Sequence, residues 1–379
     1  MRVHAYFLSL LLIAQQVFAQ TDSNIQIASQ IAAALPGIGV AGPVAGLLNN
    51  HLVVAGGANF PDAMPWKGGA KKYQDEIYIF QPSGNQLMML NKQLVLPKPI
   101  AYAALCHIPE GILYAGGENA EGISKQTCLL QWDAIKQTII TKSLPDLPIP
   151  LTNAAAVCVN NQVYLMGGET LNETTTSFFT LDLSNVKKGW QSLGMLPQPL
   201  SHLVLTVINK ENTPSLYIMG GRQKNKNGIS SFSNKTYRYH IKNNTWENLA
   251  EMPYALSAGT GVWWNKDQIV LLGGDRGIVF NQVEKLLVAI ANENDAEKKQ
   301  ILINQKNQIQ ETHPGFSKEI LLYAADTNQW KIVGSLNHEI PVTTTAFIWN
   351  SKLFIPSGEI KAGVRSPNIL QITIQPPQP

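Results

Sequence analysis

The stretch Gly358-Glu359-Ile360-Lys361-Ala362-Gly363-Val364-Arg365-Ser366 places a carboxylate, an ammonium and a guanidinium in one short loop bounded by glycines. A positioned carboxylate can take up and return a proton, and the planar fork of an arginine can hold a carboxylate-bearing molecule in a bidentate manner. Proton transfer on an anionic small molecule is the chemistry these residues suit. The plainer account is a surface Glu/Arg ion pair, which contributes little. A wider set is defined by position. Directly after six glycine-containing stops stand Ala58, Glu118, Glu169, Arg222, Asp275 and Glu359. Glu118 and Glu169 have a structural alternative, since a carboxylate there can simply accept hydrogen bonds from backbone or a neighbouring unit.

The elements that must carry these groups repeat. The stops are Gly56-Gly57, Gly116-Gly117, Gly167-Gly168, Gly220-Gly221, Gly273-Gly274 and Ser357-Gly358, each ending a short apolar strand such as Leu52 to Ala55 or Val163 to Met166. A period of roughly 50 residues implies a radial array of small sheets, because one unit cannot bury its own faces. An apolar-Pro pair opens each unit: Leu35-Pro36, Leu96-Pro97, Leu147-Pro148, Leu196-Pro197, Met252-Pro253 and Ile340-Pro341. Proline suits a crossing between units, where no ladder bond has to be donated. Four strands follow per unit, so the fold class is all-β, a six-bladed β-propeller. The sixth stop departs from the Gly-Gly pattern and reads as released from purely structural duty.

Five residues after each opening proline lie Tyr102, Asn153 and His202 on inner strands facing the central channel, with Ala41, Ala258 and Ala346 in the other units. Polar groups on one side suggest an off-axis site able to bond sugar hydroxyls and an N-acyl group. Asn59, Arg222, Arg276 and Lys361 complete the candidate substrate-binding set. His202 as a satisfied, buried histidine is an equally good reading.

Residues 24 to 34 precede the first opening pair as an outer strand precedes each later one, and the last unit has only Ile369 to Ile374 after its stop. The N-terminal strand is therefore expected to complete the last blade and remove an open edge. The fifth unit is swollen by about residues 276–318, where Val283, Leu286, Leu287 and Ile290 have helical spacing and Asn294 or Asp295 can cap a second helix reaching about Gln308. Such an insert shapes a site or is a bland surface excursion. Tyr78, Trp132, Trp190, Tyr237, Trp246, Tyr323 and Trp330 recur at matching offsets and read as packing between blades.

Of 379 residues, 45% are hydrophobic and 15% charged, enough for a large core. The net charge of +3 is spread without a basic run, which sets nucleic acid aside. Residues 1–19 read as a secretory signal ending in Val17-Phe18-Ala19, too short for a membrane span, leaving 20–379 as one exported, periplasmic domain. Cys106, Cys128 and Cys158 do not make a disulfide framework; buried thiols are the main reading and a single Cys106–Cys158 bridge the lesser one. No metal-ligand spacing is present.

The glycine pairs with Tyr and Trp on following strands resemble kelch repeats over nearly all of the chain after residue 19. Ala55-Gly56-Gly57-Ala58-Asn59-Phe60, the Gly/Lys-rich loop to Tyr73 and the Glu359 loop are similar to segments of the N-acetylneuraminate epimerases, the sialic acid mutarotases. The loop matches that family's Gly-Glu-x-Lys-x-Gly-x-Arg pattern. The resemblance implies Glu359 and Arg365 as the acid/base and substrate-binding pair, a helical insert after a Gly-Gly, and no cofactor. Its starting blade resembles that of the cyclically permuted mutarotases. Expected, then, is anomer exchange of a sugar acid by ring opening and closure. The alternative is a non-enzymatic propeller that binds an exported glycan or protein. A sialidase would need Ser-x-Asp-x-Gly-x-x-Trp turns, and a copper radical oxidase a set of His and Tyr near the channel; neither pattern occurs. Assembly, a homodimer included, is left open.

Overall fold

In the computed structural model, which describes residues 25–90 and 92–375, six antiparallel sheets stand around one axis, five of them four-stranded and the first with the short strand Leu94–Val95 as an added fifth. The signal-like segment 1–19 lies outside the described residues. Blade 1 is Val44–Leu48, His51–Ala55, Glu76–Ser83 and Gln86–Met89, counted from the axis outward, and blades 2 to 5 repeat the order. Blade 6 combines Phe347–Trp349, Lys352–Pro356 and Asn368–Gln375 with the N-terminal strand Gln26–Ala34 as its outer edge. That strand runs antiparallel to Asn368–Gln375, with a bulge between Ile31 and Ala33. The expected closure of the ring by the chain's own beginning is thus present.

Each glycine stop has a steric cause. Where the second strand of a blade ends, the second glycine's N–H donates to a carbonyl of the next blade: Gly57 to Ile100, Gly117 to Leu151, Gly168 to Leu200 and Gly221 to Leu256, at 2.8–2.9 Å. A Cβ on the first glycine would stand 2.2–2.5 Å from the same carbonyl oxygen in each of these four stops. In these four stops a side chain would collide with that oxygen, and glycine takes the positive φ without strain.

The sixth stop keeps this geometry, which corrects the reading that it is freed from structural duty. Ser357 (φ 54) and Gly358 (φ 111) lie close to the values at the five Gly-Gly pairs. The Ser357 hydroxyl accepts the Val40 N–H at 2.8 Å and lies within hydrogen-bond distance of the Val40 and Ser366 carbonyls. Gly358 N–H donates to Val40 O across the seam. Serine replaces glycine here because its oxygen is a partner for backbone that must be satisfied when buried.

Beyond each stop the inner hairpin resumes for one residue pair: Ala41 with Ala58, Ala101 with Glu118, Thr152 with Glu169, Ser201 with Arg222, Ser257 with Asp275 and Val342 with Glu359. The next residue in each opening segment is left-handed, and its N–H donates to its counterpart in the preceding blade. Gly42, Tyr102, Asn153, His202, Ala258 and Thr343 so form a closed circle of backbone hydrogen bonds, 2.6–3.0 Å long. This corrects two sequence positions, because Gly42 and Thr343 occupy the circle where Ala41 and Ala346 were expected. In the last blade the opening residue is Leu336, whose N–H bonds Lys318 O as Leu96 bonds Asp75 O; Ile340-Pro341 sits four residues further on. The proline mark misled because Asn337 stands where the other openings carry proline.

The core lies between blades. Each of the six interfaces holds its own buried apolar cluster, for example Leu113, Leu129, Leu147, Val163 and Leu165 between blades 2 and 3. Outer-strand tryptophans tie neighbours: Trp190 Nε1 donates to Thr127 Oγ1 and Pro145 O, and Trp330 Nε1 to Thr236 Oγ1 and Ala250 O. Cys106, Cys128 and Cys158 are free thiols, and burial raises the pKa of each. The insert in blade 5 forms two helices, α1 (Ile278–Asn292) and α2 (Ala296–Glu311), the second capped by Asp295, which accepts from Lys298 N at 3.0 Å. Among the described residues no helix is long and apolar enough to cross a membrane.

Removal of residues 20–34 strips blade 6 of its outer strand and exposes the apolar cluster at the seam. With each buried aliphatic side chain worth about 1.5–3 kcal/mol and total stability about 5–15 kcal/mol, the truncated chain is expected to lose its cooperative melt by circular dichroism; a transition within a few degrees of wild type would contradict the closure. Ser357→Ala strands the buried Val40 N–H and should lower unfolding stability by about 1–3 kcal/mol, measured by chemical denaturation.

Candidate active site

Each post-stop residue points its chemistry toward one mouth of the channel, because the pair beyond the glycine bulge is fastened to the backbone circle. Glu118, Glu169, Arg222, Asp275 and Glu359 all line a cavity of about 430 Å³ there, within the range of about 300–1,000 Å³ usual for small-molecule sites. Tyr102, Asn153, His202, Ala258 and Thr343 form its floor. A smaller hollow of about 160 Å³ lies against the same floor, lined mainly by small and apolar residues of the inner strands. The larger cavity holds the titratable groups.

In blade 6 the chain leaves the stop as a two-stranded hairpin, Glu359–Lys361 and Val364–Arg365, in which Glu359 and Arg365 are direct cross-strand partners. This explains the spacing of six. Arg365 Nη1 donates to Glu359 Oε1 at 2.5 Å, the Gly363 N–H reaches the same oxygen at 2.6 Å, and Thr343 Oγ1 donates to Oε2 at 3.2 Å. Three groups from two segments therefore hold one carboxylate. Arg365 has little left to offer a ligand: its Nε donates to Ala58 O at 3.2 Å, Nη2 to the Tyr102 hydroxyl at 3.4 Å, and its side chain is 4% exposed. The expected bidentate grip on an external carboxylate is closed instead on Glu359 and the backbone of blade 1.

Arg222 is the less committed guanidinium. Nη2 reaches Glu169 Oε1 at 3.4 Å, Nε is buried without a partner, and the group lies over Phe280 at 4.6 Å. Glu169 is further held by Ser201 Oγ at 2.6 Å. Burial pushes the Glu169 carboxyl up, but the Arg222 guanidinium and the Ser201 hydroxyl outweigh it and lower its pKa. His202 is driven down to about 3, first by burial and then by Arg222, so it is a neutral imidazole at physiological pH. Glu118 is taken by the Tyr73 hydroxyl at 2.7 Å and Lys71 at 3.2 Å. Asn153 lines the floor without a side-chain partner among the described residues, open to a ligand hydroxyl.

Three expected ligand residues are elsewhere. Asn59 is buried and satisfied, donating to Gly39 O and accepting from Gln74. Arg276 lies over Tyr254 at 3.7 Å and pairs with Glu319 at 2.5 Å. Lys361 is not among the lining residues. Asn59 and Arg276 each stand one residue beyond the position that follows a stop, and a one-residue step along an extended chain turns a side chain to the other face; between Glu359 and Lys361 the hairpin register is irregular, so the two-residue alternation is not kept.

The cavity wall also holds residues outside the candidate site set read from the sequence. Val279, Phe280 and Val283 of α1, Gln310 of α2 and His313 and Phe316 after it form the side contributed by blade 5, and Phe60 and Pro65 come from the loop of blade 1. The two excursions meet, α2 touching the Pro65–Lys67 turn, with Lys67 paired to Glu311 at 3.4 Å. Helical periodicity marks α1 as amphipathic; only the fold shows that part of its apolar face is turned to the mouth.

The N-acetylneuraminate epimerase family model matches residues 144–378. The chain is 28% identical over 235 residues to the N-acetylneuraminate epimerase of Salmonella typhi, covering 62% of this chain and 59% of that protein. With the N-acetylneuraminate epimerase of Haemophilus influenzae (strain PittEE) it shares 29% over 234 residues, 59% of this chain and 58% of the relative. The chain thus spans somewhat under three fifths of the length of the curated relatives it matches. Taken with the ring of six blades, the family match means that this chain belongs to the N-acetylneuraminate epimerase family.

Proposed function

We propose that this protein is an exported, cofactor-free mutarotase that interconverts the α and β anomers of N-acetylneuraminate or a closely related nonulosonic acid. One observation carries the reading: a carboxylate, Glu359, clamped by Arg365, Gly363 and Thr343 at the mouth of a cavity of sugar size. The name shared by the curated relatives supports the reaction class. A family match confined to residues 144–378 fits a permuted chain, since a ring begun at another blade shares only part of its linear order with its relatives.

The anomeric carbon of a sialic acid bears a carboxylate and no hydrogen, so inversion passes through ring opening and not through carbon deprotonation. Glu359 takes the proton of the anomeric hydroxyl as the ring bond breaks, and returns it when the ring closes on the other face. Proton transfer of this kind is worth about 10²- to 10⁴-fold. Arg365 keeps the carboxylate aimed. Arg222 is the group assigned to the substrate carboxylate, because its donors are only partly used, while Asn153, Tyr102 and neutral His202 face the hydroxyls. The phenylalanine and valine side chains of α1 offer an apolar wall for the acyl group.

The test is NMR anomer exchange on N-acetylneuraminate freshly released as the α anomer. Wild type should accelerate equilibration over buffer, Glu359→Gln should lose about 10²- to 10⁴-fold, and Arg222→Ala should act mainly on KM, by about one to two orders of magnitude for a charge-assisted contact. Binding without acceleration would mark a non-enzymatic glycan-binding propeller and sink the proposal. Export is checked by N-terminal sequencing of the mature protein, which should begin at Gln20; a chain that retains residues 1–19 would argue against it.

A further inference from the structure

The charges that line the cavity do not balance in an obvious way. Lys71, Arg222 and Arg365 are the cations, and Glu118, Glu169, Asp275 and Glu359 the carboxylates. Each cation has its own carboxylate: Lys71 with Glu118, Arg222 with Glu169, Arg365 with Glu359. Asp275 has none. One of its oxygens accepts the Gly277 N–H at 2.8 Å, and the other has no hydrogen-bond partner among the described residues.

Position singles out the same residue. Asp275 and Glu359 follow the stops of adjacent blades 5 and 6, each tied by a bridge to residues next to one another on the backbone circle, Ser257 beside Ala258 and Val342 beside Thr343. Glu169, in blade 3, is on the opposite side of the ring from Glu359, and Glu118 is separated from it by blade 1 and occupied by Tyr73 and Lys71. A hydroxyl oxygen and a ring oxygen on one anomeric carbon must be served together, which calls for two proton carriers on neighbouring blades. Beside Asp275, the insert delivers His313, 3% exposed, whose Nδ1 accepts the Gly315 N–H at 3.0 Å. That bond fixes the tautomer, leaving the proton on Nε2.

We propose that Asp275 is the second proton carrier of the mutarotase: as the neutral acid it protonates the ring oxygen while the Glu359 carboxylate removes the anomeric hydroxyl proton. This assignment rests on the function proposed above. The bond between anomeric carbon and ring oxygen breaks, its electron pair goes to the ring oxygen, and the hydroxyl oxygen becomes the ketone. No redox change occurs. On closure Asp275, now a carboxylate, takes the proton of the chain hydroxyl that attacks the other face, and Glu359 returns its proton to the ketone oxygen, so both groups end as they began.

The surroundings favour the acid form. Burial raises the Asp275 pKa, opposed by the Gly277 N–H, His313 and Arg222 and assisted by Glu359. His313 is itself pushed down by burial and by Lys361, against Asp275 and Glu359, which favours the neutral imidazole. An incoming sugar carboxylate adds negative charge and favours the neutral acid further.

The experiment is the anomer-exchange assay on Asp275→Asn, Asp275→Ala and wild type across pH, with folding checked by thermal melts and N-acetylneuraminate binding by saturation-transfer titration. Asp275→Asn should lose about 10²-fold or more in rate with binding changed less than about threefold. Wild-type rate above buffer should fall as the pH rises and Asp275 ionises, with the limb displaced upward from the ordinary aspartate range, and that limb should vanish in the variant. Formate should restore the rate of Asp275→Ala at least about tenfold, a rescue no purely structural role would show. Rates within about threefold of wild type for Asp275→Asn, or an Asp275→Ala enzyme that formate does not accelerate, overturn the assignment while leaving Glu359 catalysis standing. A wild-type protein that does not accelerate exchange overturns both.

Discussion

The circle of backbone hydrogen bonds through Gly42, Tyr102, Asn153, His202, Ala258 and Thr343 is the constraint on which the rest of the structure depends. Five of its six members are not glycine yet hold positive φ, a conformation that costs roughly 1–2 kcal/mol per L-residue. The cost is met collectively: each N–H has a backbone acceptor in the preceding blade, and each residue is flanked by a pair bridged to the end of its own inner hairpin. The left-handed turn is also what points Tyr102, Asn153 and His202 into the floor of the cavity. Structural strain and ligand-facing polarity are two consequences of one backbone geometry.

Because the circle fastens the pair beyond every stop, a polar residue at that position cannot avoid the mouth. The protein exploits this with a distribution of charge that is locally neutralised. Lysine or arginine meets carboxylate in three places, with Glu169 pinned by Arg222 and Ser201 and Glu359 by Arg365, Gly363 and Thr343. A carboxylate held by three donors keeps its orientation through a reaction cycle, which a solvent-exposed pair does not. The roof is built from two excursions of unrelated character, a loop from blade 1 and two helices from blade 5, joined through the Pro65–Lys67 turn and α2. They add apolar wall to a floor that is mostly polar.

Much of this was readable in the chain. The Gly-Gly stops follow from sterics local enough to leave a mark, the carbonyl of the next blade lying where a Cβ would be. The six-residue spacing of Glu359 and Arg365 is a cross-strand pair, and the cap at Asp295 obeys a local rule. Two errors came from treating the repeat as uniform. Asn337 in place of proline displaces the last opening by four residues and hides Thr343, and the serine at position 357 reads as released from structural duty although its hydroxyl completes the seam with Val40. Asn59 and Arg276 had suitable types but are turned into other contacts, since their partners Gln74, Gly39, Glu319 and Tyr254 are set by packing.

By itself the sequence determined the repeat, the six blades, the closing N-terminal strand, the helical insert and the Glu359 loop, all of which arise from local sterics, periodicity or short-range pairing. Only the tertiary structure decided that Arg365 spends its other donors on Ala58 and Tyr102 and leaves Arg222 the freer fork, and that Asp275 is, among the described residues, the cavity carboxylate without a cation. It also decided that His313 and Phe280 reach the same cavity. These facts depend on which distant segments the closed ring brings to one mouth, and on how the charges already there divide among themselves. Neither property belongs to any stretch of chain short enough to read alone.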